Sequence, residues 1–429
     1  MSRTPPKRPR RCFLFLQGLA TAFFARLGDA LAARGHAVLR VNFNAGDRLF
    51  WPRPGALDFT GRPQDWPAAL DRIMRQHAVT DLVMFSDCRP LHEAAIPIAR
   101  AFGCAVHVFE EGYLRPGWIT LERDGVNGHS RLPRDPAWFR AQASLLPPEP
   151  PEMDLSGRFL RRAAEDVVYN FAALLGRRDF PHWRTHRPWH PLHEYLGWLR
   201  RGARRPLVRA ASAWRMRGLL GEGVPYWLMP LQLDGDYQIR RHSPYDSVRQ
   251  AVAEVLGSFA RAAPAGTRLV VKGHPLDNGL VAWAAVVRQA ARAAGLSADR
   301  VLYLGEAPFG PLLGQARGVV TVNSTAGVQA LTAGKPVATL GRALYDMPGL
   351  TWQGRLDAFW TDAGPPDAAL VDAFRRVLIA RCLIRGGFFS EAGIRIGVES
   401  AVQRLEARPG ELAATGEHDS AAASIAAAA

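Results

Sequence analysis

The sequence predicts an α/β chain of two Rossmann-like domains with an Arg/Trp-rich helical insertion between them. Two observations carry this. Short apolar, β-branched runs alternate with segments of helical period, and polar clusters follow the runs rather than precede them. The alternation is interrupted once, by the Pro-rich LLPPEPPEMD and an arginine-dense stretch, and resumes near Gly223. At 429 residues and 48% hydrophobic, the chain can build two cores. The expected organisation is therefore residues 1–150, a basic helical segment 151–222, a second domain 223–355, helices over 356–408 and a disordered tail over 409–429.

In the first half, CFLFLQG is a strand and LATAFFARLGDALAARG a helix closed by a glycine cap. HAVLRVNFN is a second strand, followed by a loop with Asn42, Asn44, Gly46 and Asp47. Then come PQDWPAALDRIMRQH as a helix, TDLVMFSD as a strand, RPLHEAAIPIARAFG as a helix, and CAVHVFEEGYLRPGW as one strand with a polar exit. The first turn holds the single Gly18 and lacks GxGxxG, so no dinucleotide cofactor is expected. The basic start MSRTPPKRPRR precedes only a short apolar stretch before Gln17, which reads as a strand and not as a signal peptide or membrane span. Cys12, Cys88, Cys104 and Cys382 lack metal-ligand spacing and read as reduced core residues of a cytoplasmic protein.

In the second half, YWLMPL is a buried strand that runs into Gln232, Asp234, Gly235 and Asp236. Ser243 is the expected N-cap of the next helix, with Pro244 at its first position. RLVVKGHP is a strand ending in Lys272, Gly273, His274 and Pro275. RGVVTVNSTAGVQALTAGKPVATLG repeats the plan, with Asn323, Ser324, Thr325 and Gly327 between strand and helix. In open α/β sheets ligands bind beyond the carboxyl ends of strands, where all three clusters fall. After Gly354 the pattern is helical, including DAALVDAFRRVLIARCLI.

Lys and Arg number 54 against 39 Asp and Glu, a formal charge of +15, so a polyanionic partner is expected. The excess concentrates between Gly157 and Leu220, where arginines such as Arg158, Arg161, Arg162, Arg200, Arg201, Arg204 and Arg205 interleave with Trp183, Trp189, Trp198 and Trp214. Basic helices with interfacial aromatics suit an anionic membrane surface. The plain alternative is a set of solvated helix faces in an arginine-rich proteome. No nucleic-acid-binding module accompanies the charge, so no nucleic-acid partner is expected. His182, His186, His190 and His193 lie among prolines that break helical spacing, and they read as surface histidines.

Four motifs in order, EEGYLRPGWITLERDGVN, PLQLDGDYQIRRHSPY, KGHP and NSTAGVQAL, resemble the capsule polysaccharide biosynthesis family, in its KpsS- and LipB-type branch. The resemblance spans roughly Phe13 to Leu350 and includes the opening LQG and NFNAGD. It implies a GT-B-like glycosyltransferase whose two domains face a cleft. It also implies retaining β-Kdo transfer from CMP-Kdo to a lysophosphatidylglycerol anchor at the inner membrane of Gram-negative bacteria. That reaction starts the linker for capsular polysaccharide, with other capsule biosynthesis and export proteins as partners and a peripheral position on the membrane. A non-catalytic role in capsule assembly and export, or transfer of another CMP- or UDP-sugar, are the alternatives.

CMP-Kdo carries a phosphate and a carboxylate beside a tertiary anomeric carbon, so its site needs cations or helix N-termini near two anions. Gln232, Lys272, His274, Asn323 and the amides around Ser324, Thr325 and Gly327 are the donor-site candidates. Retention can proceed through a carboxylate nucleophile. Asp236 is preferred on the resemblance, and Asp234, two residues away on the same face of an extended stretch, competes. An ordinary Asp-Gly-Asp turn is the bland reading of the pair, and a turn with a solvated lysine that of KGHP. Glu111 is the candidate base for the acceptor hydroxyl, against a structural pairing with Arg115. Glu110, Arg115, Gln17, Asn42, Asn44 and Asp47 are candidate acceptor contacts along the same rim. No metal is expected, although Asp234 and Asp236 could hold a divalent ion.

Overall fold

The computed structural model describes residues 10–157, 159–185, 187 and 189–407, and the side chains of Tyr237 and Gln238 lie outside the description. Arg158, His186, the basic start of the chain and the tail from Pro409 therefore fall outside the described residues. Among those residues the strands are β1 (Cys12–Phe15), β2 (Ala37–Asn42), β3 (Ala56–Asp58), β4 (Asp81–Phe85), β5 (Ala105–Glu111) and β6 (Trp118–Arg123). They continue with β7 (Tyr226–Pro230), β8 (Arg268–Lys272), β9 (Val301–Leu304), β10 (Val319–Thr321), β11 (Val337–Thr339) and β12 (Leu383–Arg385).

The chain forms two compact units whose limits differ from the linear division expected. The first unit comprises residues 1–131, 146–186 and 376–429, and the second 132–145 and 187–375. The basic segment is thus not a separate insertion: Phe159–Leu175 packs with the first unit and Pro191–Glu222 with the second. The C-terminal helices are likewise shared out, because the chain returns to complete the first unit's sheet.

That sheet runs β12-β6-β5-β4-β1-β2-β3. β1 pairs in parallel with both β2 and β4, and β4 with β5. β6 and β12 are antiparallel additions. The chain starts in the centre, steps outward through β2 and β3, and returns to β4 on the other side of β1. The gap between the exits of β1 and β4 is a topological switch point, the usual place for a ligand in such sheets. Strand alternation divides the core in two. Phe13 and Phe15 face Phe23, Phe24 and Leu27 of helix Phe23–Ala33 and Ile394 and Leu405 of helix Glu391–Glu406. Leu14 and Leu16 face Trp66, Leu70 and Met74 of helix Trp66–His77.

Three elements of this unit differ from expectation. The residues after β2 form a short helix, Ala45–Leu49, because Asn44 accepts the Asp47 N–H at 3.0 Å as its N-cap. The expected single strand ending at Trp118 is a hairpin, since the Pro116–Gly117 turn reverses the chain into β6. The helix expected over DAALVDAFRRVLIARCLI stops at Cys382, and buried Leu383 and Ile384 pair with β6 instead.

The second unit's sheet runs β11-β10-β7-β8-β9, all parallel, with β7 central and the switch point between β7 and β10. Helix Val248–Ala262 covers one face, where Trp227, Phe259, Phe359 and Trp360 form an aromatic core. Trp227 and Phe359 centroids lie 4.8 Å apart, and Phe259 meets Trp360 at 89°. The helix begins after Ser247, not at Ser243. Ser243 Oγ donates back to the Ile239 carbonyl at 2.5 Å, so it closes the preceding helix Tyr237–His242 rather than opening the next.

Candidate functional site

In the second unit β10, β7 and β8 are adjacent and parallel, so Asn323, Gln232 and Lys272 leave the sheet along one edge. Gln232 Nε2 donates to Asn323 Oδ1 at 2.8 Å, and the Asn323 N–H donates to Gln232 Oε1 at 3.2 Å. These two buried amides clamp the strand ends at the switch point. Lys272 is 7% exposed and its ammonium donates to the Gly273 carbonyl at 3.0 Å. Burial pushes its pKa down, the Glu306 carboxylate works against that fall and Arg201 adds to it. It is therefore not the solvated lysine of an ordinary turn. His274 Nδ1 accepts the Leu276 N–H at 3.1 Å, which leaves the proton of the neutral ring on Nε2.

The DGD segment is a turn and not an extended stretch, and its two aspartates do different things. Asp234 Oδ1 accepts the Val248 N–H at 3.2 Å and so supplies the capping oxygen of helix Val248–Ala262, where the Ser247 side chain makes no cap bond. The half-buried Asp236 sits ahead of helix Tyr237–His242 with its carbonyl accepting the Ile239 N–H at 3.1 Å. In NSTAG, Ser324 accounts for two of the amides expected to bind an anion. Its hydroxyl accepts the Ala326 N–H at 3.2 Å and its carbonyl the Gly327 N–H at 2.9 Å. The same carbonyl accepts Tyr345 Oη–H at 2.6 Å, and a Cβ at Gly327 would lie 2.3 Å from Tyr345 Oη, so the glycine is required by packing.

Sequence reasoning missed a neighbouring cation pair. A cavity of about 410 Å³ beyond β11 is lined by Arg241, Ser243, Arg342 and Asp346, with the Arg342 N–H donating to the His242 carbonyl at 2.6 Å. The available signal was an arginine placed directly after a strand, in TLGR.

In the first unit, Gln17, Asn42, Asn44 and Asp47 are not rim contacts. All four are buried, and each is engaged internally. Tyr169 from helix Phe159–Leu175 donates Oη–H to Asp47 Oδ1 at 3.0 Å and accepts from Gln17 Nε2 at 2.7 Å and Asn44 Nδ2 at 2.8 Å. Arg40 and the Phe43 N–H complete the cage around Asp47 at 3.1 and 3.0 Å, and Asn42 Nδ2 donates to Asp58 at 3.0 Å. Sequence reading failed here because Tyr169, the organising group, is more than 120 residues away. Glu111 likewise follows its rival reading: Arg115 reaches one oxygen at 3.1 Å and Arg162 the other at 2.8 Å. Glu110 Oε1 accepts the Glu111 N–H at 3.1 Å, and Arg115 Nε donates to the Gly112 carbonyl at 3.2 Å.

A second group at this unit's switch point had gone unremarked. Asp87, two residues beyond β4, is 1% exposed, and its Oδ2 accepts His129 Nδ1–H at 3.0 Å and the Val126 N–H at 3.1 Å. Cys88 Sγ donates to the other oxygen at 3.2 Å. Burial raises the Asp87 pKa, but the His129, Cys88 and Val126 hydrogen bonds together outweigh it and the carboxyl lies below its ordinary value.

The arginine-rich helices divide by face. Arg201 donates to the Asp277 carbonyl and the Glu306 carboxylate and lies 5.2 Å from the Trp198 ring centroid, so it is part of the second unit's fabric. Arg205 lies 3.6 Å from Glu306. Arg200 and Arg204 are exposed beside an apolar stripe of Leu192, Leu196, Leu199, Leu207 and Trp214. Trp183, by contrast, packs against the first unit's core. His182, His190 and His193 are exposed, as expected, and His190 Nδ1 accepts the Leu192 N–H as the N-cap of the long helix.

Residues 80–389 match the family described as "Capsule polysaccharide biosynthesis protein". The chain is 36% identical to the capsule polysaccharide export protein KpsS of Escherichia coli over 378 residues, 88% of this chain and 96% of that one. It is 35% identical to the capsule polysaccharide modification protein LipB of Neisseria meningitidis serogroup A over 389 residues, 88% of this chain and 91% of the relative. A solved structure titled KpsC, beta Kdo 2,7 transferase, from Thermosulfurimonas dismutans aligns over 92% of this chain and all of the other at 13% identity, with a TM-score of 0.44. With a family match over residues 80–389 and relatives of this identity over 88% of its length, the chain belongs to the capsule polysaccharide biosynthesis protein family.

Proposed function

We propose that this protein is a retaining β-Kdo glycosyltransferase that moves Kdo from CMP-Kdo to lysophosphatidylglycerol and so starts the linker of a capsular polysaccharide. The observation that carries the reading is the edge of the second unit's sheet. Within a capsule-family chain, the Gln232–Asn323 clamp, Lys272 and His274 stand at the exits of adjacent strands, and Arg241 and Arg342 line the cavity beyond the next. Two anions on one small donor call for such a set. Asp234 caps a helix; the nucleophile is assigned to Asp236 on the family resemblance. Its carboxylate attacks the anomeric carbon as CMP leaves, and the lipid hydroxyl then displaces it, giving two inversions and net retention.

The acceptor is an anionic lipid, and no described helix is long and apolar enough to cross a membrane. Helix Pro191–Glu222 offers a peripheral alternative, laying its exposed leucines and Trp214 into the inner leaflet while Arg200 and Arg204 meet headgroups. The test is mass spectrometry of a fluorescent lysophosphatidylglycerol incubated with purified protein and CMP-Kdo, with EDTA and Asp236→Ala arms. A single added Kdo, insensitive to EDTA and lost in the variant, is the expected result. No product when both ligands are shown to bind would overturn the proposal.

A further inference from the structure

We infer that the first unit carries its own site for an anionic phospholipid of the bilayer, at the C-terminal end of helix Phe159–Leu175. It is separate from the docking helix Pro191–Glu222 and does not depend on the transferase reading. Successive residues of a helix turn through about 100°. Counted that way, Leu160, Val167, Val168, Phe171, Leu174 and Leu175 fall within about a third of a turn. Ala164 lies in the same arc, so every residue there is apolar, and all are exposed. Phe171 is 58% and Leu175 70% exposed. A merely solvated helix face would carry charge in that arc.

The helix cannot roll to hide this stripe. On its opposite side Tyr169 Oη is bonded to Asp47, Gln17 and Asn44, and Asn170 and Ala173 are buried. A Cβ at Gly46 would fall 2.6 Å from the Tyr169 carbonyl oxygen, so the helix backbone lies directly on that glycine. Turning the leucines inward would break all of these contacts.

The stripe ends in a groove of about 610 Å³ lined by Leu174, Leu175, Arg177, Arg178 and Pro181. Hydrocarbon forms one part of its wall and two exposed arginines the other. The turn that bears the arginines is pinned: a Cβ at Gly176 would overlap Ala45 Cβ, and buried Phe180 lies 5.0 Å from the Arg48 guanidinium. The neighbouring acids are engaged elsewhere. Asp179 pairs with Arg48 at 2.9 Å, Glu165 with Arg161 at 3.0 Å, and Asp166 accepts from Asn170 Nδ2 at 3.1 Å. Among the described residues no carboxylate lines the groove, so its walls do not neutralise Arg177 and Arg178. A phospholipid of an anionic leaflet meets both needs at once. Its phosphate takes guanidinium hydrogen bonds while its acyl chains continue along Leu174, Phe171 and Val167. A second copy of this chain would instead bury two arginines from each partner with no carboxylate in either groove.

The experiment uses the full chain and phosphatidylcholine vesicles with or without phosphatidylglycerol, with no sugar donor present, so a failure of transfer does not bear on it. The four cysteines are buried, which lets Phe171→Cys take an environment-sensitive fluorophore selectively. Nitroxides on the acyl chains of the phosphatidylglycerol-containing vesicles are expected to quench that label. In sedimentation with the same vesicles, Arg177→Ala with Arg178→Ala should weaken binding about 10- to 30-fold. Binding to phosphatidylcholine alone should not change. Arg177→Lys with Arg178→Lys keeps the charge and should keep most of the binding, and the melting temperature of each variant guards against a folding defect. An unquenched label on vesicle-bound protein, or binding of the alanine pair within threefold of wild type, would overturn the inference, because another face then meets the lipid. Wild type that binds no phosphatidylglycerol vesicle overturns it as well. So does a wild-type dimer in sedimentation velocity that Phe171→Ser converts to monomer, since a second copy then covers the stripe.

Discussion

The buried cage around Asp47 allows one substitution to separate fold from function. Tyr169→Phe removes a single oxygen that donates to Asp47 and accepts from Gln17 and Asn44. Loss of a hydrogen bond to a charged partner costs about 1.5–3 kcal/mol, and a stranded buried donor about 1–3 kcal/mol more. Gln17 Nε2 keeps a longer bond to Asp47 at 3.3 Å, and Arg40 and the Phe43 N–H remain on the carboxylate, so only the Asn44 amide is stranded. The expected loss is about 3–4 kcal/mol in the first unit. For units of about 150–250 residues each kcal/mol moves Tm by about 2–4 °C, giving a fall of roughly 6–16 °C in that unit's transition. Scanning calorimetry on the whole protein reads this, alongside transfer kinetics well below the transition. A Tm within 2 °C of wild type combined with a raised KM for the lipid would refute the reasoning, because these side chains would then be contacting the acceptor.

Further expectations follow from the same geometry. Leu199→Ala with Leu207→Ala removes side-chain carbons that are 72% and 75% exposed; at about 0.8 kcal/mol per buried methylene and shallow insertion, binding to anionic vesicles should weaken about 10-fold or more. Sedimentation with phosphatidylglycerol vesicles measures this, and unchanged binding removes the docking face. Arg201→Ala should destabilise the second unit by about 2–3 kcal/mol, because it leaves Glu306 only the more distant Arg205 and uncaps the Asp277 carbonyl, and denaturant unfolding would detect it. Burial alone would raise the Asp81 pKa, but His107 at 2.8 Å and Arg11 at 2.7 Å hold it at about 2. A depressed carboxyl stabilises the folded state above its unfolded pKa. The contribution, of order 2 kcal/mol, is therefore present above about pH 5 and lost as pH falls toward 2. Asp81→Asn should flatten that acid limb in pH-dependent melting.

The alternation of strand and helix was legible because it is local: each period can be counted within a dozen residues. The three strand-end clusters of the second half were legible for the same reason, and the sheet order sets their strands side by side. What escaped was non-local. Tyr169 makes Asp47 a structural residue from another segment, Arg162 occupies Glu111 from the same helix, and Leu383–Arg385 joins a sheet whose other strands end at residue 123. The Asp87–His129 pair escaped too, since 42 residues and a hairpin separate them. The helix start was missed by four residues because Ser243 and Ser247 offer the same local signal, and only the direction of the Ser243 hydroxyl distinguishes them.

A formal charge of +15 says little about which arginines meet a partner, and the phase of one helix says much more. Successive residues of a helix turn through about 100°. Counted that way along Pro191–Glu222, buried Gly197, Ser212 and Leu219 share one face with Arg201, and that face carries the bonds to Asp277 and Glu306. Leu192, Leu196, Leu199, Ala203, Leu207, Ala210 and Trp214 fall within about a quarter-turn on the opposite side, all exposed. Arg200 borders that stripe and Arg204 lies about 40° further round on the same side. An arginine-rich, solvated helix would scatter its leucines and would gain nothing from exposing five large apolar side chains in register. An interfacial helix needs both an apolar stripe and a basic border. The leucine phase therefore argues for a lipid surface where the arginine count could not, and it names Arg200 and Arg204, not Arg201 or Arg205, as the residues whose charge reversal isolates docking from folding.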